Sequence, residues 1–540
     1  MIHLPCHKNG RTMITINYDD RGCGAGKTLE ALSVIAQQGG RHIYAVDRVN
    51  AIEERAAEFR EKMQDRSFLI RTISAKSDRC YGQASVRLQV EAVPEEVGEH
   101  RDVLIFITHE GMKIADFSGF AEGGWSIWID EVPSVLDNDR HRFELSWQTL
   151  ARYYDLEKVE KGWSRIRARG RAREEKSGSE QADDAGKTFN IDEAKRTDEA
   201  KDVPDLAVLS RDDALGVLRP LHRRVLDPRR EVFANLDAWS ELAEKGREMG
   251  WYSLWSPHEL APFDAVFLLG NRLTRSATFQ IWSTRWPGIV WQPMSVTCPA
   301  FAPRHAIITY FAHSHRASRG LFDSLEGRDH LRRIAAHLEH RTLRSNHIWT
   351  CNEPEKPIFS RLRGCFLSPA QAGSNSYSYA DHVTMIYSVK PCSTMQGVYR
   401  RIGVDADWHM ISAERETILQ FVCRSCVRLS DDNRTIHINV YDREQAEYLR
   451  EYFENSPLSY VVPDLRLENL GFAYHVRDSK GGRRRTVLTP EEREAKKAAD
   501  KRKERDRGRR RREEKRRKEE ASGLRTSPSR RGRKRASDRL

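Results

Sequence analysis

Residues 12–38 read TMITINYDDRGCGAGKTLEALSVIAQQ, and this stretch decides the fold. Thr12 to Tyr18 are β-branched and aromatic enough for a strand, and Leu29 to Gln37 read as a helix. Between them a glycine-rich loop closes on Gly24-Ala25-Gly26-Lys27-Thr28. A strand running through such a loop into a helix aims successive backbone N–H groups at one small volume, at the positive end of the helix dipole. The glycines permit the tight path, Lys27 supplies a cation for β- and γ-phosphates, and Thr28 supplies a hydroxyl for Mg²⁺. The broad phosphate-loop pattern has glycine at position 21, where this chain has Arg21.

Outward from this loop, short apolar runs bounded by polar segments recur at Ile43-Tyr44-Ala45-Val46, Val103 to Ile107 and Ile127-Trp128-Ile129, with a helical candidate at 50–63. Runs of this kind, alternating with helices, predict buried parallel strands in a doubly wound α/β domain. The third run delivers Asp130 and Glu131 at its end. One carboxylate there would hold the metal and the other would orient or deprotonate an attacking water. A second series of runs at 306–311, 347–351, 383–389 and 436–441, followed by an amphipathic helix from Gln445 to Tyr452, predicts a second α/β domain over 300–470.

Charge divides the chain. From Lys480 to Leu540 there are 27 Lys/Arg and 11 Asp/Glu, a balance of +16, while the other 479 residues carry 64 basic and 68 acidic side chains. All of the net basicity therefore lies in a tail over 478–540, and a nucleic-acid site in the body would have to be a local patch. Thr489-Pro490-Glu491-Glu492 is a helix start, so a charged helix is expected to about 520, then a disordered Ser/Arg/Gly end. Residues 157–205 are likewise charged and expected to be an exposed or disordered insertion. The nine cysteines are scattered, with Cys423 and Cys426 the only close pair. No second ligand pair accompanies them, so reduced thiols in an intracellular protein are expected rather than zinc. No apolar run reaches membrane-spanning length, and Met1 to Pro5 does not read as a secretory signal.

The order of these motifs resembles superfamily 2 helicases, over roughly 10–455. Gly-x-Gly-Lys-Thr, Asp130-Glu131-Val132-Pro133 and Ser276-Ala277-Thr278 are similar to motifs I, II and III, although motif II of the family usually continues Ala-Asp or x-His. Gln420-Phe421-Val422-Cys423-Arg424-Ser425-Cys426-Val427-Arg428 is similar to motif VI, with arginines four and eight places after the glutamine where the family has four and seven. Softer matches are Val46-Asp47-Arg48 (motif Ia), Thr108-His109-Glu110-Gly111, Trp349-Thr350-Cys351-Asn352 (motif IV) and Gly373-Ser374-Asn375 (motif V).

The resemblance implies two tandem RecA-like domains, 1–290 and 300–470, with ATP and Mg²⁺ in the cleft between them. Asp130 and Thr28 would hold the metal, Glu131 would act on water, and Gln420, Arg424 and Arg428 would act from the opposite domain, both arginines on one helical face. Ser276, Ala277 and Thr278 would couple the nucleotide to nucleic acid, and Arg48, Thr108, Gly373 and Asn375 would contact it. The partner would be DNA or RNA, DNA favoured, with replication proteins of a phage or mobile element in a cytoplasm, or a nucleus. An interval of 145 residues separates Glu131 from Ser276, longer than the family has, so an insertion is expected. Within it, 208–262 is read as a helical subdomain whose Trp239, Trp251 and Trp255 serve first as core and second as a base-stacking surface. The competing readings are a packaging-type motor and a degenerate nucleic-acid scaffold.

Overall fold

In the computed structural model the described residues are 13–63, 67–74, 85–143, 147–169, 216–244, 246–297, 300–341, 346–369, 376–455 and 460–472. The first strand, β1 (Ile14–Asp19), leads through the glycine loop into the Lys27–Gln38 helix. It joins β2 (Arg41–Val46), β3 (Leu69–Thr72), β4 (Val103–Thr108), β5 (Trp125–Asp130), β11 (Ala265–Leu269) and β12 (Ile289–Pro293) in a parallel sheet of order β12-β1-β11-β5-β2-β4-β3. Helices cover both faces, which is why β2 and β4 are buried almost throughout instead of alternating. Asp19 pairs with Leu269 and Leu269 with Asp130, so the carboxyl ends of β1, β11 and β5 lie level at one edge. In open α/β sheets that edge is where ligands bind.

The interval between β5 and β11 departs from expectation. It holds β6 (Leu136–Arg142), β7 (Tyr154–Glu160), β8 (Trp163–Ala168), β9 (Val232–Ala234) and β10 (Glu248–Leu254), an antiparallel sheet of order β6-β10-β9-β8-β7. The described part of 208–262 is thus mixed where a helical subdomain was expected: the Arg219–Leu226 helix and three short 3-10 turns alternate with β9 and β10, two of the strands of this sheet. The start of the supposed charged insertion is a hairpin in which burial alternates along β8. Its outward charges pair across the strands, Arg167 with Glu157 at 2.8 Å and Arg169 with Asp155 at 2.9 Å. A high charge count with a period of two is the mark of a half-buried strand, and composition alone conceals it. Residues 170–215 lie outside the described residues. Trp239, Trp251 and Trp255 are all buried, so they serve as core.

The second parallel sheet is built from β13 (Arg304–Ala312), β14 (His347–Cys351), β15 (Cys365–Phe366), β16 (His382–Ile386), β17 (Ile436–Asp442) and β18 (Val461–Leu467). Their order is β15-β14-β16-β17-β13-β18. Apolar clusters again lie on both faces. The chain therefore has the two RecA-like α/β domains that the sequence predicts. Two of these strands were not expected: β15 is only two residues long, and β18 carries Pro463 and Asp464 within an edge strand. The expected tail and its helix lie outside the described residues. Among those residues, no helix is long and apolar enough to cross a membrane.

Candidate active site

The phosphate loop begins on a buried ionic clamp. Arg21 is 5% exposed; its guanidinium grips both Asp19 oxygens, reaches Glu30 at 2.6 Å and donates to the Thr297 carbonyl at 2.5 Å. The glycine missing at 21 is thus replaced by a side chain that ties β1 to the following helix. Beyond it the chain turns through Gly24 and Gly26 at φ of 80° and 78°, a region side chains rarely adopt. Gly24 is constrained doubly, since a Cβ there would stand 2.9 Å from the Arg428 carbonyl oxygen. Lys27 Nζ donates to the Arg21 and Gly22 carbonyls at 2.7 and 3.0 Å.

The acid pair faces this loop. The buried Ile127-Trp128-Ile129 run carries Asp130 to the sheet edge, where the Thr28 hydroxyl donates to its carboxylate at 3.0–3.1 Å. Arg55 approaches Asp130 at 3.9 Å, and the Asp130 carbonyl meets His109 Nε2 at 3.0 Å. Burial pushes Asp130 above the usual carboxylate range, and Arg55 opposes the shift. Glu131 holds φ at 70°, a strained value for a side-chain-bearing residue, fixed by its N–H donating to the Leu269 carbonyl at 2.8 Å. Burial, with Asp47 and Asp130 adding like charge, pushes the Glu131 carboxyl up to about 8.

The opposite wall comes from the second domain. A helix runs from Asp407 to Val422 with a π-turn at Ile411–Arg415, a distortion common at functional sites. Gln420 lines the cleft from its last turn. The helix stops at Val422, so Arg424 and Arg428 do not share a helical face as expected; Arg428 ends a separate 3-10 turn capped by Ser425. Arg424 is 4% exposed, and its Nη1 is buried with no hydrogen-bond partner. Burial pushes its guanidinium down to about 10, with Glu131 and Asp47 opposing. Arg428 is half-buried and its backbone rests on Gly24. Both arginines line one cleft of about 830 Å³ with Lys27, Thr28, Asp130 and Glu131.

Ser276 caps the Ala277–Arg285 helix by accepting from the Phe279 N–H at 3.1 Å. The Ala277 N–H donates to Ser412 of the π-turn at 2.7 Å, and the Thr278 hydroxyl donates to the Pro133 carbonyl at 2.5 Å. This tripeptide thus touches both the acid-pair segment and the second domain. Arg48 lines the same cleft beside Asp47, 3.1 Å away. Thr108 caps the His109–Ile114 helix through the Gly111 N–H at 3.0 Å. In the motif IV stretch, Trp349, Thr350 and Cys351 are buried and Asn352 clamps the backbone of Ser388. Gly373 and Asn375 lie outside the described residues.

Several cleft residues went unmarked by any motif: Arg55, Asn271, Glu416 and Tyr448. Arg55 left a usable signal, a lone cation on the stripe Ile52, Ala56 and Phe59 that the Val49–Lys62 helix buries. Asn271 and Glu416 left none, because only the tertiary structure brings them together.

The cleft fits a nucleotide and its cation on two observations: an orphaned, buried Arg424 nitrogen suited to an anion, and a hydroxyl–carboxylate pair, Thr28 and Asp130, suited to Mg²⁺. Among the described residues no group of three or more His, Cys, Asp or Glu is placed to hold a metal. A cation would therefore depend on Thr28, Asp130 and the ligand's own oxygens. No protein family and no curated protein matches the chain. Solved structures that are similar include one described as XPD_APO, at 11% identity and a TM-score of 0.45 over 84% of this chain and 97% of that one. Others are an S. cerevisiae Dbp5 variant bound to RNA and ADP BeF3, at 9% identity and 0.34 over 85% and 86%, and RecG bound to a three-way DNA junction, at 8% and 0.31 over 83% and 43%. At these values the likeness assigns no residue a role.

Proposed function

We propose that the protein is an ATP-hydrolysing motor of the helicase or translocase type, with nucleic acid as its track and DNA the first polymer to test. One observation carries this reading: Arg424, a buried arginine from one α/β domain, lines the same cleft as Glu131, the phosphate loop and the Thr28–Asp130 pair of the other. Bound Mg²⁺ would neutralise charge on the phosphates. The loop N–H groups and Lys27 would hold the β- and γ-phosphates, Glu131 would take a proton from water, and Arg424 would meet charge building on the γ-phosphoryl oxygens. The two domains supply opposite halves of the site, so hydrolysis and release would change their separation. Ser276 to Thr278, bonded to both walls, would transmit that change.

The test is ATP turnover by the purified chain with and without single-stranded DNA and RNA. Lys27→Ala is expected to lower turnover at least about 100-fold, the scale on which preorganised charge stabilisers act. Wild-type turnover in that variant would show that hydrolysis occurs elsewhere.

A further inference from the structure

A hydrogen bond crosses the cleft at the phosphate loop itself. The N–H of Cys23, next to Gly24, donates to the Tyr452 hydroxyl at 2.8 Å. Tyr452 stands on the Arg443–Asn455 helix of the second domain and is 5% exposed. Its hydroxyl donates in turn to Asn271 Oδ1 at 3.3 Å, and Asn271 Nδ2 donates to Glu416 Oε1 at 2.7 Å. Asn271 lies between β11 and the Ser276 cap, and Glu416 lies on the helix that carries Gln420. A single phenol therefore joins the phosphate loop, the segment before Ser276 and the wall that leads to Arg424.

The ring is held independently of its hydroxyl. The Arg272 guanidinium lies over the rings of Tyr448 and Tyr452, 5.3 and 5.6 Å from their centroids, and pairs with Glu451 at 3.4 Å. Arg272 is itself in the left-handed region, at φ 48°. Burial raises the phenol well above its ordinary range, so it stays protonated and can accept and donate at once.

We propose that Tyr452 is a positioning residue that latches the phosphate loop to the second domain, and that Asn271 passes the state of this latch to the Ser276 element and the Gln420 helix. The latch deepens the motor reading and its coupling role rests on it. Its partners belong to different domains, so opening the cleft must break the Cys23–Tyr452 bond. A loop that turns through two positive-φ glycines then loses a fixed point beside the N–H groups that hold phosphate.

Tyr452→Phe keeps the ring beneath Arg272 and removes only the hydroxyl. In amide hydrogen exchange on the full chain, residues 21–28 are expected to exchange about three- to tenfold faster, the span of one buried hydrogen bond, with β13 and β17 unchanged. Asn271→Ala is expected to act in the same direction, and the effect of the double variant to fall short of the sum of the two single effects. Nucleic-acid-stimulated turnover should fall by a similar factor while ATP affinity stays within about twofold, a split that general loosening would not produce. Unchanged loop exchange in Tyr452→Phe overturns the latch. Faster loop exchange with wild-type turnover overturns its coupling role. A wild-type chain that hydrolyses no ATP removes the motor reading and the coupling with it, and loop exchange still decides the latch.

Discussion

Glu131 is a carboxyl whose surroundings resist its charge. Its pKa near 8 means that the base form accumulates as pH rises. The kcat/KM for ATP is therefore expected to climb along an acid limb centred at about 8, and Glu131→Gln should abolish hydrolysis while nucleotide still binds. The same shift has a stability sign. The native state keeps a proton that the unfolded chain has released above its usual value of 4.5, so stability falls as pH rises from there towards about 8. A denaturation series across that window should show a shallower fall for Glu131→Gln, and identical slopes would show that Glu131 ionises normally. Arg424 lines the same cleft from the other domain. Arg424→Ala should leave nucleotide affinity largely intact and lower turnover by roughly 10³–10⁵. Arg424→Lys should restore little of that loss, because a point charge lacks the guanidinium fork. Comparable turnover in wild type and Arg424→Ala would remove the evidence that the second domain completes the site.

Among elements, the inserted sheet has the most consequential contacts. It leaves the first domain directly after the acid pair and docks through Arg401 on the Ser393–Ile402 helix, whose Val398, Tyr399 and Ile402 pack into the core of the first sheet. Arg401 Nε donates to the Tyr252 hydroxyl at 2.6 Å, pairs with Glu160, and lies over the rings of Trp163 and Phe233 at 5.6 and 4.8 Å. The insert is thus tied to a helix from the later half of the chain. Arg401→Ala removes the hydrogen bond, the ion pair and both cation–π contacts, and is expected to cost about 1–3 kcal/mol. Thermal melting and limited proteolysis of the insert would register that loss, and an unchanged cleavage rate would mean that the sheet is held by its first-domain side alone. The Arg21 clamp also operates at this scale, because it joins strand, loop and helix through one buried guanidinium.

For the whole molecule, net charge is concentrated where the sequence lacks core-forming residues. Truncation at about residue 478 is expected to leave a folded ATPase, because that segment has too few apolar side chains to contribute to a core. It should also weaken nucleic-acid binding and flatten its dependence on salt, since fewer counterions are released. Affinity measured at several ionic strengths would show this, and an unchanged slope would make the basic run a bystander.

Two α/β domains and the order of the motifs are legible in local patterns along the chain. Apolar runs between polar segments specify buried parallel strands, and glycine, lysine and threonine at this spacing have few uses other than holding phosphate. The strand–loop–helix unit at 12–38, the carboxylates at the end of β5 and four of the strands of the second sheet were legible for that reason. The inserted sheet was not, because its charged face lowers mean hydropathy while the alternation that marks a strand is only a few residues long. Nor were the helix stop at Val422, the Arg21 clamp or the path from Cys23 through Tyr452 and Asn271 to Glu416. The path from Cys23 to Glu416 joins residues far apart in the chain, and no local pattern records a partner that packing alone supplies. Packing set those contacts, by burying groups whose polar atoms then had to find one another.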